Sequence, residues 1–157
     1  MTAATATDLP RTLTTGHIGL NVSDLDRSRT FYEQVFGFTT VSQSDDADRV
    51  FAFLGDGDRL VLTLWQQSDG QFSTATPGLH HLSFKVDSIA EVQAFEERLR
   101  SSGREPLHGG IVPHAEGADS GGIFFEDPDG IRLEIFAPSG AGEHAAPTPD
   151  APTCGFF

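Results

Sequence analysis

The stretch HIGLNV, residues 17–22, returns as HLSFKV, residues 81–86, and a histidine opens both copies. His17 and His81 are 64 positions apart, and the same offset pairs Phe31 with Phe95. Similarity at a fixed offset indicates a duplicated structural unit. The sequence therefore predicts a fold made of two equivalent modules.

Each copy is typical of a strand followed by a helix. Strand alternation in 17–22 places His17, Gly19 and Asn21 on one face and three apolar residues on the other. A helix is predicted from a cap at Ser23 or Asp24 to about residue 36, and its counterpart runs from about 88 to 101. Gly37 and Gly103 are the predicted stops.

Three further strands complete each module. In the first module they are FTTVSQS, RVFAFLG and RLVLTLW, separated by turn-rich DDAD and GDGD. In the second they are predicted at about 104–108, 122–126 and 131–137. The predicted organisation is a flexible segment (1–15), a first βαβββ module (16–66), a linker (67–78), a second βαβββ module (79–137) and a flexible tail (138–157).

Composition excludes several classes of partner. The chain has 157 residues, 38% of them hydrophobic, and a formal net charge of −13, which opposes binding to nucleic acid or to anionic membranes. No apolar run approaches the roughly 20 residues of a membrane helix, and MTAATATDLPRTLTT lacks the apolar core of a signal peptide. The expected address is the cytoplasm. Cys154, the single cysteine, cannot form an internal disulfide.

Two histidines and a carboxylate form a candidate metal site. An isolated histidine is usually a surface residue, but His17 and His81 hold equivalent places in a repeat, so we expect them to face one cavity. Glu134 lies in IRLEIFAP, where alternation places it on the polar face of a strand. Imidazole and carboxylate ligands favour Fe(II), Mn(II), Co(II), Ni(II) or Zn(II), and three such ligands leave positions open for substrate and dioxygen.

The repeated modules, VSDLDRSRTFYEQVFGF and FFEDPDGIRLEIFAP together resemble the vicinal oxygen chelate superfamily over roughly residues 16–137. That superfamily includes glyoxalase I, extradiol dioxygenases, fosfomycin-modifying enzymes and metal-free bleomycin-binding proteins. The resemblance implies an α+β fold with a curved mixed sheet around a cavity, and often a homodimer. It also implies that His17, His81 and Glu134 are the ligands of a divalent metal.

The fourth ligand position separates the subfamilies, because glyoxalase I supplies a second glutamate from the first module. Aligning Asp56–Gly57 with Asp129–Gly130 places Val61 opposite Glu134, and a shift of two residues places Thr63 there. Neither supplies a carboxylate. The remaining triad resembles that of extradiol dioxygenases, so we expect an Fe(II) dioxygenase acting on a small oxygen-chelating substrate such as a catechol or an enediol.

Other residues are candidates for proton transfer and substrate binding. His114, in VPHAEGADSGG, is a candidate acid–base residue, since imidazole is the side chain that titrates nearest neutral pH. Extradiol enzymes commonly have a tyrosine near the metal, but the only tyrosine here, Tyr32, lies in the first predicted helix. Alternation predicts that four polar residues face the cavity: Asn21, Ser83, Lys85 and Arg132. Three aromatic residues are expected to belong to the core: Phe51, Phe53 and Trp65.

Two alternative functions stay open. A metal acting as a Lewis acid would support a glyoxalase-like lyase or isomerase, or a transferase that opens an epoxide. A metal-free antibiotic-binding protein is the non-enzymatic alternative. The two modules can pair within one chain or swap between chains.

Overall fold

The computed structural model describes residues 12–157. Most of the predicted flexible segment lies outside that range, and residues 12–15 are exposed and irregular. The first module contains β1 (Ile18–Val22), α1 (Leu25–Phe36), β2 (Thr39–Ser44), β3 (Phe51–Asp56) and β4 (Arg59–Gln66). The second contains β5 (Leu82–Lys85), α2 (Ile89–Ser101), β6 (Val112–Pro113), β7 (Gly121–Glu126) and β8 (Arg132–Ala137).

The two modules have the same topology. Their four-stranded sheets have the orders β1-β4-β3-β2 and β5-β8-β7-β6. In each, the first strand pairs in parallel with the last, and the other pairs are antiparallel. The α+β fold of tandem βαβββ modules is confirmed.

Both helices begin and end at the signals that the sequence contains. The Asp24 side chain accepts a hydrogen bond from the Arg27 N–H at the start of α1, and Gly37 follows it at φ 74°, the left-handed conformation that glycine adopts without strain. Ser88 caps α2 and forms a reciprocal capping box with Glu91.

The prediction of a strand at 104–108 is wrong. Pro106 precedes a short 3-10 turn over Leu107–Gly109, and His108 and Gly109 have positive φ angles, 58° and 79°. An extended strand cannot pass through left-handed residues. The third strand of the second module is instead the two-residue β6, which contains Pro113, a residue without an N–H to continue a ladder.

One core lies between the two sheets. The ring of Phe36 lies 5.0 Å from that of Phe84 and 5.9 Å from that of Phe125, so α1 packs against the second sheet as well as its own. Tyr32, fully buried, donates its O–H to Asp127 Oδ2 over 2.9 Å. Because the apolar faces of both sheets contribute to this core, their polar faces are turned away from it.

The segment 138–157 packs on the second module. It contains one 3-10 turn, Thr153–Gly155, and three of its residues, Ala141, Ala146 and Thr153, are buried. The Ala141 N–H donates to the Asp119 carbonyl over 2.8 Å. Among the described residues, no helix combines the length and the apolar character needed to span a bilayer.

Candidate metal centre

Glu134 is the centre of a polar cluster on the second sheet. It is 3% exposed. One carboxylate oxygen lies 2.6 Å from His114 Nε2, and the other lies 3.6 Å from His81 Nε2. A buried carboxylate is costly unless it is paired or hydrogen-bonded, and the His114 imidazole supplies a hydrogen bond.

The sheet order explains this convergence. Glu134 lies on β8, between β5 and β7, where it pairs with Ser83 on one side and Phe124 on the other. His81 immediately precedes β5, and His114 immediately follows β6. The His114 ring is further fixed by Ser120, whose Oγ lies 2.9 Å from Nδ1. The two imidazoles therefore reach one carboxylate from opposite sides.

The environment of His81 favours the neutral form of its imidazole. Burial lowers the pKa of His81, and the nearby charges of His80 and Arg132 lower it further, while Glu134 acts in the opposite direction. A neutral imidazole has the free lone pair that a metal ion requires. Neutral imidazole beside ionisable carboxylate is the donor chemistry of first-row divalent ions, so these residues fit such a metal.

His17 lies apart from this cluster. It is exposed and immediately precedes β1. Within residues 12–157, no group of three or more His, Cys, Asp or Glu side chains is arranged to hold a metal ion. His81 and His114 contact different oxygens of Glu134 rather than sharing a point with a third donor. A single chain thus brings together two of the three predicted ligands, His81 and Glu134.

Strand register decides which residue corresponds to Glu134 in the first module. Ile18 pairs with Leu62, and Leu82, its repeat equivalent, pairs with Leu133. Thr63 is therefore the counterpart of Glu134, and the alignment that gave Val61 is out of register by two residues. Thr63 is 3% exposed, and its Oγ1 accepts a hydrogen bond from Trp65 Nε1 over 3.2 Å. The first module offers no carboxylate at this position.

The predicted substrate-binding residues have different surroundings. Asn21 accepts a hydrogen bond from the Gln67 N–H over 3.0 Å, so its amide oxygen has a structural partner. Ser83 and Lys85 are exposed on β5. The Arg132 guanidinium carbon lies 5.4 Å from the ring centroid of Phe157, and its Nε is buried without a hydrogen-bond partner among the described residues.

Three aromatic residues predicted to belong to the core lie instead on the polar face of the first sheet. Phe51, Phe53 and Trp65 are half-buried and pack on one another at centroid distances of 4.8 to 5.8 Å. Phe53 pairs with Thr63 across the ladder, so these rings lie on the face opposite the core. Strand alternation relative to Thr63 was the signal that could have identified this placement.

A family model described as Glyoxalase/Bleomycin resistance protein/Dioxygenase superfamily matches residues 14–135. The chain belongs to this superfamily. Lactoylglutathione lyase from Escherichia coli O157:H7 is 31% identical over 138 residues, covering 80% of this chain and 93% of that protein. Catechol-2,3-dioxygenase from Bacillus subtilis is 27% identical over 124 residues, covering 78% of this chain and 40% of the dioxygenase.

Solved structures show the same fold. The fosfomycin resistance protein FosX from Listeria monocytogenes, in complex with Mn(II) and sulfate, aligns with a TM-score of 0.59 at 23% identity, covering 82% of this chain and 93% of FosX. Two of the relatives named above are thus enzymes, a lyase and a dioxygenase, and the FosX structure contains Mn(II).

Proposed function

We propose that this protein is a divalent-metal-dependent enzyme, most specifically an Fe(II) dioxygenase that acts on a small oxygen-chelating substrate such as a catechol or an enediol. The observation that carries the proposal is the buried Glu134 carboxylate, which lies between two imidazoles on the polar face of β8. The absence of a carboxylate at Thr63 disfavours the four-ligand site of glyoxalase I. The relationship to catechol-2,3-dioxygenase supports the oxidative alternative.

The residues of the candidate centre would have separate roles in binding the metal and in holding protons. His17, His81 and Glu134 would hold the metal, and Fe(II) would supply open positions for two substrate oxygens and dioxygen. His114 would hold a proton at Nε2, shared with Glu134, and so orient that carboxylate, as groups that contact metal ligands commonly do. In the other tautomer, with the proton on Nδ1 toward Ser120 Oγ, Nε2 would be free to accept the proton that a substrate hydroxyl loses on binding. Ser120 fixes the His114 ring through Nδ1.

We propose further that a second copy of the chain completes the site. His17 is exposed and the two polar sheet faces are turned away from the common core, so one chain alone does not bring the triad together. In a homodimer, the first module of one copy would pair with the second module of the other. The partner copy would then supply His17 to the pair formed by His81 and Glu134. Two-fold symmetry would create two such sites.

Metal content tests the ligand set. Protein purified without chelator should contain metal, mostly iron, and the variants His17→Ala, His81→Ala and Glu134→Ala should lose it while remaining folded by circular dichroism. Glu126→Ala, which removes an exposed carboxylate from the neighbouring strand β7, is the matched control and should retain it. Retention of metal by the three ligand variants contradicts the triad.

Mixing two inactive variants tests the shared site. If each site takes His17 from one copy and Glu134 from the other, unfolding and refolding His17→Ala together with Glu134→Ala rebuilds about one intact site in four. Activity and metal binding should then return to that fraction. If both ligands come from one chain, the mixture stays inactive.

Oxygen consumption separates the dioxygenase from a Lewis-acid enzyme. Anaerobically reconstituted Fe(II) protein should consume oxygen with a catechol or an enediol. The relationship to lactoylglutathione lyase supports the second candidate, a lyase or isomerase. Turnover with Ni(II), Zn(II), Co(II) or Mn(II) and without oxygen uptake would favour that candidate and reject oxidation.

A further inference from the structure

The segment 138–157 crosses the polar face of the second module and is anchored near the Glu134 cluster. The Thr153 N–H donates to the carbonyl of His114 over 2.8 Å, and its buried Oγ1 donates to the Pro113 carbonyl over 2.6 Å. Earlier in the segment, the Ala146 N–H donates to the Glu116 carboxylate over 3.1 Å. This segment, which we name the C-terminal strap (residues 138–157), is therefore held by hydrogen bonds as far as Thr153.

Beyond this anchor, the strap brings the Phe157 ring onto the candidate metal centre. The ring centroid lies 5.5 Å from that of His81 and 5.3 Å from that of Phe124, which it meets edge to face. The guanidinium carbon of Arg132 lies 5.4 Å from the same ring. Phe156, the preceding residue, is 47% exposed. Only one of the two adjacent rings thus covers the centre.

The ring of Phe157 is held more weakly than the anchor. The Phe156 N–H donates to the Thr153 carbonyl over 3.0 Å and closes the short 3-10 turn. The described backbone hydrogen bonds of the strap end there. Aromatic and cation–π contacts keep Phe157 in place, and such contacts are individually small. The ring can leave its position without breaking the anchor at Thr153.

The Arg132 side chain indicates what replaces the ring. Its Nε is buried without a hydrogen-bond partner in the described part of the chain, and an unsatisfied charged donor is costly. The benzyl ring of Phe157 offers this guanidinium a π face but no acceptor. An aromatic ligand with an oxygen substituent offers both, since a guanidinium N–H donates to hydroxyl, phenolate and carboxylate oxygens.

We propose that Phe157 is a displaceable plug, and that its ring occupies the position of the aromatic ring of the substrate beside His81, Phe124 and Arg132. This inference rests on the proposed function, because it selects aromatic substrates with oxygen substituents from the wider class of oxygen chelators. It makes Phe157 a residue that determines specificity. Ligands that match the ring compete with the plug, whereas small aliphatic diols leave it in place.

Cys154 provides a readout that needs neither metal nor turnover. It is the only cysteine, it is partly accessible, and it lies in the turn three residues before Phe157. In metal-free protein, catechol should accelerate alkylation of Cys154 by iodoacetamide, measured by intact mass, because displacement of the ring loosens the turn. Trans-1,2-cyclohexanediol should have no effect. Phe157→Ala should alkylate quickly without ligand and show no response to catechol.

Calorimetric titration of metal-free protein with catechol measures the competition directly. If the plug is seated about nine-tenths of the time, Phe157→Ala should bind catechol about tenfold more tightly than the unmodified chain. Phe156→Ala, the matched control, should bind as the unmodified chain does. Equal or weaker binding by Phe157→Ala, no detectable catechol binding by either protein, or alkylation insensitive to catechol would each overturn the plug. Loss of the metal site alone changes none of these readouts.

Discussion

The polar faces of the two modules differ although their backbones repeat. In the first, Thr63 hydrogen-bonds Trp65 beside Phe53. In the second, the equivalent position holds Glu134, which is bonded to His114. The cores, by contrast, are built from apolar strand faces and helices in both modules. The repeat thus preserves the residues that fold each module, while the chemical groups of the candidate centre are concentrated in the second.

Substituting Thr63 with a carboxylate is the most severe way to test this difference. Thr63→Glu places a carboxylate at a position that is 3% exposed, and the first module has no counterpart of His114 to donate a hydrogen bond to it. We expect a loss of about 3 kcal/mol in the free energy of unfolding of metal-free protein at pH 8. Urea denaturation measures this loss.

The pH dependence of the Thr63→Glu effect has a definite sign. Burial disfavours the charged carboxylate, so the folded state binds the proton more tightly than the unfolded state does. Stability should therefore fall as pH rises, and the loss should be smaller at pH 5 than at pH 8. Thr63→Gln, similar in size but uncharged, controls for volume. An equal loss at both pH values would show that steric crowding, not charge, causes the effect.

The same comparison shows what the sequence could and could not predict. The repeat at His17 and His81 predicted both modules, and the caps at Asp24 and Ser88 predicted the helices, because these signals act over a few residues. The register between β1 and β4 depends on pairing between distant parts of the chain. The alignment of the two Asp-Gly turns therefore placed Val61, two residues from Thr63, at the position equivalent to Glu134. No local pattern indicated that His17 would lie apart from His81, since this depends on which sheet faces enclose the core.

The interface between modules should be weakened by loss of the Tyr32 hydroxyl. Tyr32 is fully buried, and Asp127 Oδ2 accepts its hydrogen bond. Tyr32→Phe leaves that oxygen without this donor, which costs about 1–3 kcal/mol of unfolding free energy. Denaturant titration at pH 7 should show the loss. Unchanged metal content would show that the pair acts on folding and not on the candidate centre.

Titration of Asp127 makes the cost of Tyr32→Phe dependent on pH. Burial raises the pKa of Asp127 above 3.8, while the hydrogen bond from Tyr32 opposes that rise. Removing the hydroxyl therefore raises the folded-state pKa further. In both proteins the free energy of unfolding should decrease as pH rises from the unfolded-state pKa of Asp127 to its folded-state pKa. The decrease should be larger in Tyr32→Phe, because its folded-state pKa is higher. The difference between the two proteins should be larger at pH 7 than at pH 3.

The two helix caps should contribute different amounts to the free energy of unfolding, and these are the smallest effects we expect. Asp24 Oδ1 accepts from the Arg27 N–H over 2.9 Å, whereas Ser88 Oγ accepts from the Glu91 N–H over 3.3 Å. Each alanine substitution should cost about 1 kcal/mol of unfolding free energy. Asp24→Ala should cost more, because it loses a shorter bond and a negative charge at the helix N-terminus. Asp24→Asn retains an acceptor and should recover most of the loss.

The capping box makes this last comparison informative in either direction. Glu91 Oε2 accepts from the N–H groups of Ser88 and Asp87 over 2.9 and 3.1 Å, and these bonds use backbone donors that Ser88→Ala retains. If these two bonds stabilise the start of α2 without help from the serine hydroxyl, Ser88→Ala should lose less unfolding free energy in urea denaturation than Asp24→Ala. A larger loss for Ser88→Ala than for Asp24→Ala would mean that the serine hydroxyl, which lies 3.0 Å from Glu91 Oε2, positions the carboxylate. The box would then unfold as one unit, and the second module would depend on its cap more than the first.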